Sequence, residues 1–352
     1  MLAVATAAAQ DQSVDATVST TMQSSHFSVD ARPELAMDRN QKTYFLSDRS
    51  AHTGDDFRVV LSSPSHVTQI AVTTGDKDGA DQLQAGSVEI SEDGREYREV
   101  GTFSNGQAKV FVDAPSIVAV RIKPTASQDQ PLAIREITLS GVRINRVTRD
   151  PRIDFDYSLA PDLGSWAQQA VEIAEKSYPM IARELNSPGY LPPNHVHIWF
   201  NTDYNGVAAT GGEVIEISPT YVRAHKDDFG MVVHELTHAV QHYTHGDNPG
   251  WLVEGIADWI RFYKYEPQVP RPRINPARAK YSDAYRTTAA FLAYAEEKYD
   301  RRLVWQLNEA MREATYSPDI WRKYTGKEPG DIWTEFIADL QAGKTKLARL
   351  AN

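Results

Sequence analysis

His234-Glu235-Leu236-Thr237-His238, followed by Glu254-Gly255-Ile256-Ala257-Asp258, is the stretch on which the reading of this chain turns. Asp227-Asp228 offers a helix N-cap, and Phe229 to about Tyr243 runs without proline and with one early glycine, so one helix is predicted to carry both histidines. At i and i+4 they share a face about 6 Å apart in rise, and both imidazoles can converge on one ion at about 2.0–2.1 Å. Glu235 lies beside them, directed towards water at that ion. The chain has no cysteine, so any metal must be held by His, Asp or Glu.

Spacing narrows the choice of a third ligand. His242 is eight residues from His234, about 12 Å along a helix and too far to meet the same ion. His245 is eleven residues from His234, one off the metzincin spacing, and Gln241 stands where that motif has glycine, so the metzincin pattern is rejected. Glu254 remains. After the turn Asn248-Pro249-Gly250 it opens a second predicted helix, Leu252 to Phe262, returning antiparallel to the first. Asp258, one turn beyond Glu254, is placed to accept the second ring N–H of a liganding histidine and fix its tautomer.

Working outward, Val196–Phe200 and Val214–Ser218 are strand-like runs with turn residues between them, and Val214–Ser218 is placed to pair an extended peptide by β-addition. His195 and His197, alternating on one strand, read as structural. Residues 165–185 space Trp166, Ala170, Ile173, Ala174, Tyr178, Ile181 and Ala182 as an amphipathic helix ending at Asn186-Ser187-Pro188-Gly189. Residues 143–151 break the rhythm of what precedes them and read as a linker.

Before that linker the pattern is different. From Asp56 to about Gly141, short runs such as 57–61, 70–72, 88–90, 110–112, 118–122 and 134–139 alternate apolar and polar residues between Gly- and Asp-rich turns. That is the pattern of an all-β sandwich. The predicted organisation is therefore multidomain: a leader over 1–12, a jelly-roll β-sandwich over 13–142, the linker over 143–151, and a mostly α, α+β zincin-like domain over 152–352.

The 352 residues suit two domains, and 41% hydrophobic with 24% charged residues is ordinary for a globular protein. A net charge of −10 argues against nucleic acid as a partner. No run reaches the roughly 18 apolar residues of a membrane span. Residues 1–10 resemble the end of a signal-peptide apolar region running into an Ala-x-Ala site, so a secreted or periplasmic location is expected.

Three resemblances sharpen these expectations. His-Glu-x-x-His followed by Glu-x-x-x-Asp resembles the gluzincin, thermolysin-like peptidases, a likeness that implies Asp258 as the partner of His234. More closely, Tyr204-Asn205-Gly206-Val207-Ala208, the two quoted stretches, Pro249 to Arg261 and Tyr285-Arg286-Thr287-Thr288-Ala289-Ala290-Phe291-Leu292 resemble the plant and bacterial basic secretory protein family of peptidases. The acidic charge departs from that family's name, while the metal motif is intact. In the N-terminal half, Ala36 to Phe45 and Gly86 to Tyr97 are similar to the coagulation factor 5/8 C-domain, or discoidin-like, module. That likeness implies glycan binding and a structural calcium on Asp38, Asn40, Thr43 and Glu136, where oxygen ligands suit the ion. All seven Trp lie beyond residue 160, leaving Phe27, Tyr44 and Phe45 as aromatic candidates for sugar, residue types more often found in a core.

The expected chemistry is hydrolysis of a peptide bond in a peptide or glycoprotein. Zn2+ on His234, His238 and Glu254 activates water, and Glu235 is the general base. Tyr285 is the leading donor to the oxyanion, a packed helix residue being the alternative. Two rival readings are a glycopeptidase whose sandwich holds glycan, and a non-catalytic glycan- or protein-binding protein.

Overall fold

The computed structural model describes residues 13–24, 31–244 and 247–351. The expected leader over 1–12, Phe27 and His245 lie outside them. The chain forms two compact units: one runs to Arg152 and includes Gly189–His195, the other comprises Ile153–Pro188 and the chain from Val196.

The first unit is built from β1 (Ser13–Thr20), β2 (Phe45–Ser50), β3 (Phe57–Thr74), β4 (Gly86–Ser91), β5 (Arg98–Thr102), β6 (Gln107–Pro124), β7 (Pro131–Ser140) and β8 (Arg143–Arg149). The ladder runs β2-β7-β3-β6-β4-β5, with β1 pairing β3 and β8. The long strand β3 changes partners along its length: its start, Phe57–Leu61, pairs β1, and its end, Gln69–Thr74, pairs β7. Register shifts between Val60 and Gln69 separate the two halves, and such irregularities bend a strand. The bent ladder is an all-β sandwich around one core that includes Val18, Phe57, Val59, Ile70, Val88, Ile122 and Ile134. Burial of each such side chain contributes roughly 1.5–3 kcal/mol.

Residues 143–149, expected as part of a linker, instead form β8, parallel to β1. The arginines hide the strand signal. Ile144 and Val147 pack against the core while Arg143 and Arg146 remain exposed, so only a sparse apolar face marks the strand. Gly141 makes the turn into it with φ +93°, and a Cβ there would lie 2.7 Å from the His66 carbonyl oxygen.

The second unit carries β9 (Arg152–Asp156), α1 (Gly164–Glu184), β10 (His195–Phe200), β11 (Ala208–Gly211), β12 (Val214–Ile217), α2 (Pro219–Ala224), α3 (Gly230–Gln241), α4 (Gly250–Trp259), α5 (Tyr285–Lys298), α6 (Leu303–Arg312), α7 (Asp319–Thr325) and α8 (Pro329–Gln341). Its sheet has the order β11-β12-β10-β9, β10 and β12 being parallel. β12 is therefore interior, paired on both sides. The strand expected to receive a peptide has no free edge, and the edge next to it belongs to β11. Among the described residues no helix is long and apolar enough to cross a membrane.

α3 is buried almost all round, with Met231, Val232, Val233, Leu236, Ala239 and Val240 in the core. Its C-terminal carbonyls, Val240 and Gln241, accept hydrogen bonds from the guanidinium of Arg312 on α6, a side chain 2% exposed. The same group donates to the Leu185 carbonyl, just past α1. A cation at a helix C-terminus satisfies the orphan carbonyls and the negative end of the helix dipole together.

Candidate metal centre and cleft

The predicted N-cap at Asp227-Asp228 is not made: α3 begins after Phe229, without a side-chain cap. Asp228 accepts instead from Tyr221 Oη at 2.6 Å and pairs with Arg261, a charged partner that outbids a helix N–H. Gly230 leaves room for this arrangement, because a Cβ there would lie 2.5 Å from Arg261 Nε. α4 starts at Gly250, two residues before the predicted start. It passes into a wider π-type turn over Ile260–Tyr265.

α3 and α4 bring His234, His238 and Glu254 together, with one ligand atom from each within 4.8 Å of the others. His234 Nε2 is 3.1 Å from His238 Nε2 and 3.2 Å from Glu254 Oε2, and His238 Nε2 is 3.5 Å from the same oxygen. Three ligands about 2.0–2.1 Å from a tetrahedral ion would be about 3.3 Å apart. Each histidine engages a second residue through Nδ1: His234 with Asp258 Oδ1 at 2.7 Å, His238 with Gln241 Oε1 at 2.7 Å. With those nitrogens engaged, two Nε2 atoms and a carboxylate oxygen face one another, a donor set that fits a cation. These three residues could hold a metal.

The electrostatics agree. Burial works against charge on His234, but hydrogen bonds with Asp258 and Glu254 prevail and push its pKa up to about 9. Burial likewise favours the neutral form of Glu254, yet His234 and His238 bring it down to about 2. The pair behaves as a place that wants positive charge beside the carboxylate.

Glu235 and Tyr285 line the same cleft, a cavity of about 990 Å³. Glu235 is 6% exposed, and its Oε2 accepts from Thr210 Oγ1 on β11 at 2.7 Å. Tyr285 opens α5 with φ +45° and is 54% exposed, its ring stacked with His234 at 6.2 Å between centroids. The neighbouring charge of Glu254, then burial, raise its pKa, so the phenol keeps its proton. His242 is left out of the cluster, as expected: it closes α3 in a left-handed conformation, its Nδ1 3.5 Å from Glu213. His197 lies elsewhere, 2.6 Å from Asp154.

Sequence reasoning missed Thr210 and the contact of Gln241 with His238. The first depends on which strand forms the sheet edge, which no local pattern encodes; the second could have been sought, since Gln241 is three residues from His238 on one helix face.

In the first unit the four residues expected to hold calcium divide into a turn and a buried acid. Asp38 accepts from the Asn40 N–H at 2.8 Å and from Thr43 Oγ1 at 2.7 Å, which is a turn motif by itself. Glu136 is 6% exposed and its Oε2 has no hydrogen-bond partner. Burial first and the Asp38 charge second push its pKa up to about 7. A buried, unpartnered oxygen near a second carboxylate fits a cation. Phe45, named as an aromatic candidate, is a core residue with no exposure.

Comparison with known proteins places both halves. Residues 165–336 match the family described as peptidase of plants and bacteria, and residues 15–137 match the F5/8 type C domain. No curated protein matches the chain. Among solved structures, a CBM32 module from a family 31 glycoside hydrolase of Clostridium perfringens is 19% identical, covering 35% of this chain and 92% of its own, with a TM-score of 0.30. A chitosan-binding module of a Paenibacillus chitosanase/glucanase, solved with chitotriose, is 17% identical over 35% and 95%, TM-score 0.30. The family 32 module of C. perfringens NanJ, solved with galactose, is 18% identical over 35% and 92%, TM-score 0.30. The two matches fall on separate stretches of the chain, the F5/8 type C likeness on the β-sandwich and the likeness to the peptidases of plants and bacteria on the helical unit.

Proposed function

We propose that the chain is an exported zinc peptidase that hydrolyses peptide bonds in proteins or glycoproteins. The reading rests above all on the convergence of His234 Nε2, His238 Nε2 and Glu254 Oε2 at the separations of a tetrahedral ion, within a domain matching a peptidase family. Zinc bound by these three residues would supply the Lewis acid that makes water acidic enough to attack at neutral pH.

The chain's own residues do the rest. Glu235, buried in the cleft, takes a proton from the attacking water and returns it to the leaving amine, so that the carboxylate is regenerated each turnover. Thr210 holds one of its oxygens, leaving the other for water. Tyr285, protonated and stacked on His234, donates from the rim of the cleft to the oxygen that gains charge as the carbonyl becomes tetrahedral. Asp258 keeps His234 in the tautomer whose Nε2 is free to ligate. Substrate main chain would lie along the edge strand β11, whose residues Ala208, Ala209 and Thr210 line the cleft.

Glu235→Gln tests this reading: zinc content should stay at the native level while kcat falls about 10²–10⁴-fold. Native turnover in that variant would remove Glu235 from the mechanism.

For the N-terminal domain, the unpartnered Glu136 oxygen beside Asp38 favours a calcium held with Asn40 and Thr43. Calorimetric titration of the chelated chain with calcium checks it, heat that persists in Glu136→Gln being the contrary result. We assign this domain the glycan-holding role that its F5/8 type C likeness suggests. Faster cleavage of a glycoprotein than of its stripped form would support this role, and equal rates would count against it.

A further inference from the structure

Gln241 is the last residue of α3 and is 1% exposed. Its Oε1 is 2.7 Å from His238 Nδ1, and its Nε2 donates over 3.1 Å to the carbonyl of Val253, the residue before Glu254. These two contacts fix the orientation of the amide. A main-chain carbonyl only accepts, so the amide nitrogen must face Val253 and the amide oxygen must face the imidazole. That oxygen also only accepts. His238 therefore carries a proton on Nδ1, and its Nε2 is left to face His234 Nε2 at 3.1 Å and Glu254 Oε2 at 3.5 Å.

We propose that Gln241 is a positioning residue of the metal centre: it sets the ligating tautomer of His238 and ties the helix of both histidines to the backbone at Glu254. The inference rests on the zinc reading above. One amide thereby holds two of the three ligands in register across α3 and α4. Its neutrality matters too. Asp258 already gives His234 a carboxylate, and Glu235 and Glu254 lie in the same cleft. A carboxylate at position 241 would face the Val253 carbonyl with no proton to offer it, whereas an amide serves both neighbours.

The experiment uses the full chain, stripped of metal and titrated with zinc against a chromophoric chelator. Gln241→Met has similar length and no amide, and should weaken zinc binding about 10–100-fold. Gln241→Glu keeps an acceptor for His238 and loses only the donation to Val253; it should weaken zinc binding less than Gln241→Met does, about 3–10-fold, and melt at a lower temperature. Native affinity in folded Gln241→Met overturns the proposal, and so does a loss in Gln241→Glu equal to that in Gln241→Met. Where Gln241→Met fails to fold, ¹⁵N spectra of the imidazoles in the native, metal-free chain at pH 8 decide. His238 is expected to carry a proton on Nδ1, and a bare Nδ1 with the proton on Nε2 overturns the assignment. A native chain that takes up no zinc would defeat the zinc reading, while the nitrogen spectra would still report the tautomer.

Discussion

Glu254 in the candidate metal cleft, partly buried, and Glu136 in the β-sandwich, buried, are both carboxylates shielded from water, yet they are driven in opposite directions. Glu254 is brought down to about 2 because two imidazoles outweigh its burial, and Glu136 is pushed up to about 7 by burial first and the charge of Asp38 second, which together outweigh Arg39. Burial disfavours the ionised form in both cases; the sign of the built-in companion decides the outcome. A carboxylate with enough built-in counter-charge stays ionised when it is buried, whereas one with too little takes up a proton instead.

The largest effect expected from this contrast is at Glu254. Glu254→Ala should lose stoichiometric zinc and lower kcat/KM at least about 10³-fold, read by metal analysis and single-substrate kinetics. Retained metal and activity would break the comparison at its first member.

The next concerns pH. Glu136 has a folded pKa raised above its ordinary value of 4.5, so the native state holds its proton more tightly than the unfolded chain. Stability from this group is therefore fully present below about pH 4.5 and declines as pH rises through about 7, by about 3 kcal/mol in all. Denaturant unfolding of the chelated protein should show that slope, and Glu136→Gln should flatten it. Calcium should flatten it too if the ion binds there, and a slope unchanged by both would break the second half of the comparison.

A smaller effect sharpens the Glu254 side. Gly255, next to Glu254, lies against Thr288 of α5, and a Cβ there would come 2.8 Å from the Thr288 Cβ. Gly255→Ala should destabilise by about 1–3 kcal/mol and lower zinc affinity as α4 shifts, whereas the same change at the open Gly250 should do neither.

Much of this was legible in the sequence because helix geometry is local. The i, i+4 spacing of His234 and His238, and the one-turn step from Glu254 to Asp258, bring the side chains together once the two helices pair. The alternating runs of the first 142 residues likewise imply their sandwich, since each strand announces one buried face. What escaped was non-local. Whether β12 or β11 forms the sheet edge depends on strand order, and Val214–Ile217 reads the same in either place. Asp228 looks like a cap until Arg261, from another helix, is known to reach it. β8 was concealed by its arginines, and the value of Gln241 emerges only when α4 presents the Val253 carbonyl.

Arg312 adds a constraint in time. It holds the carbonyls of Val240 and Gln241, yet it follows them by some seventy residues. During synthesis His234, His238 and Glu254 all emerge before the guanidinium that closes the end of α3, and α6 must dock before that end is fixed. A nascent or truncated chain ending short of position 312 would carry His234, His238 and Glu254 with the end of their helix unfinished, so the proposed metal site would be completed only once α6 has been made.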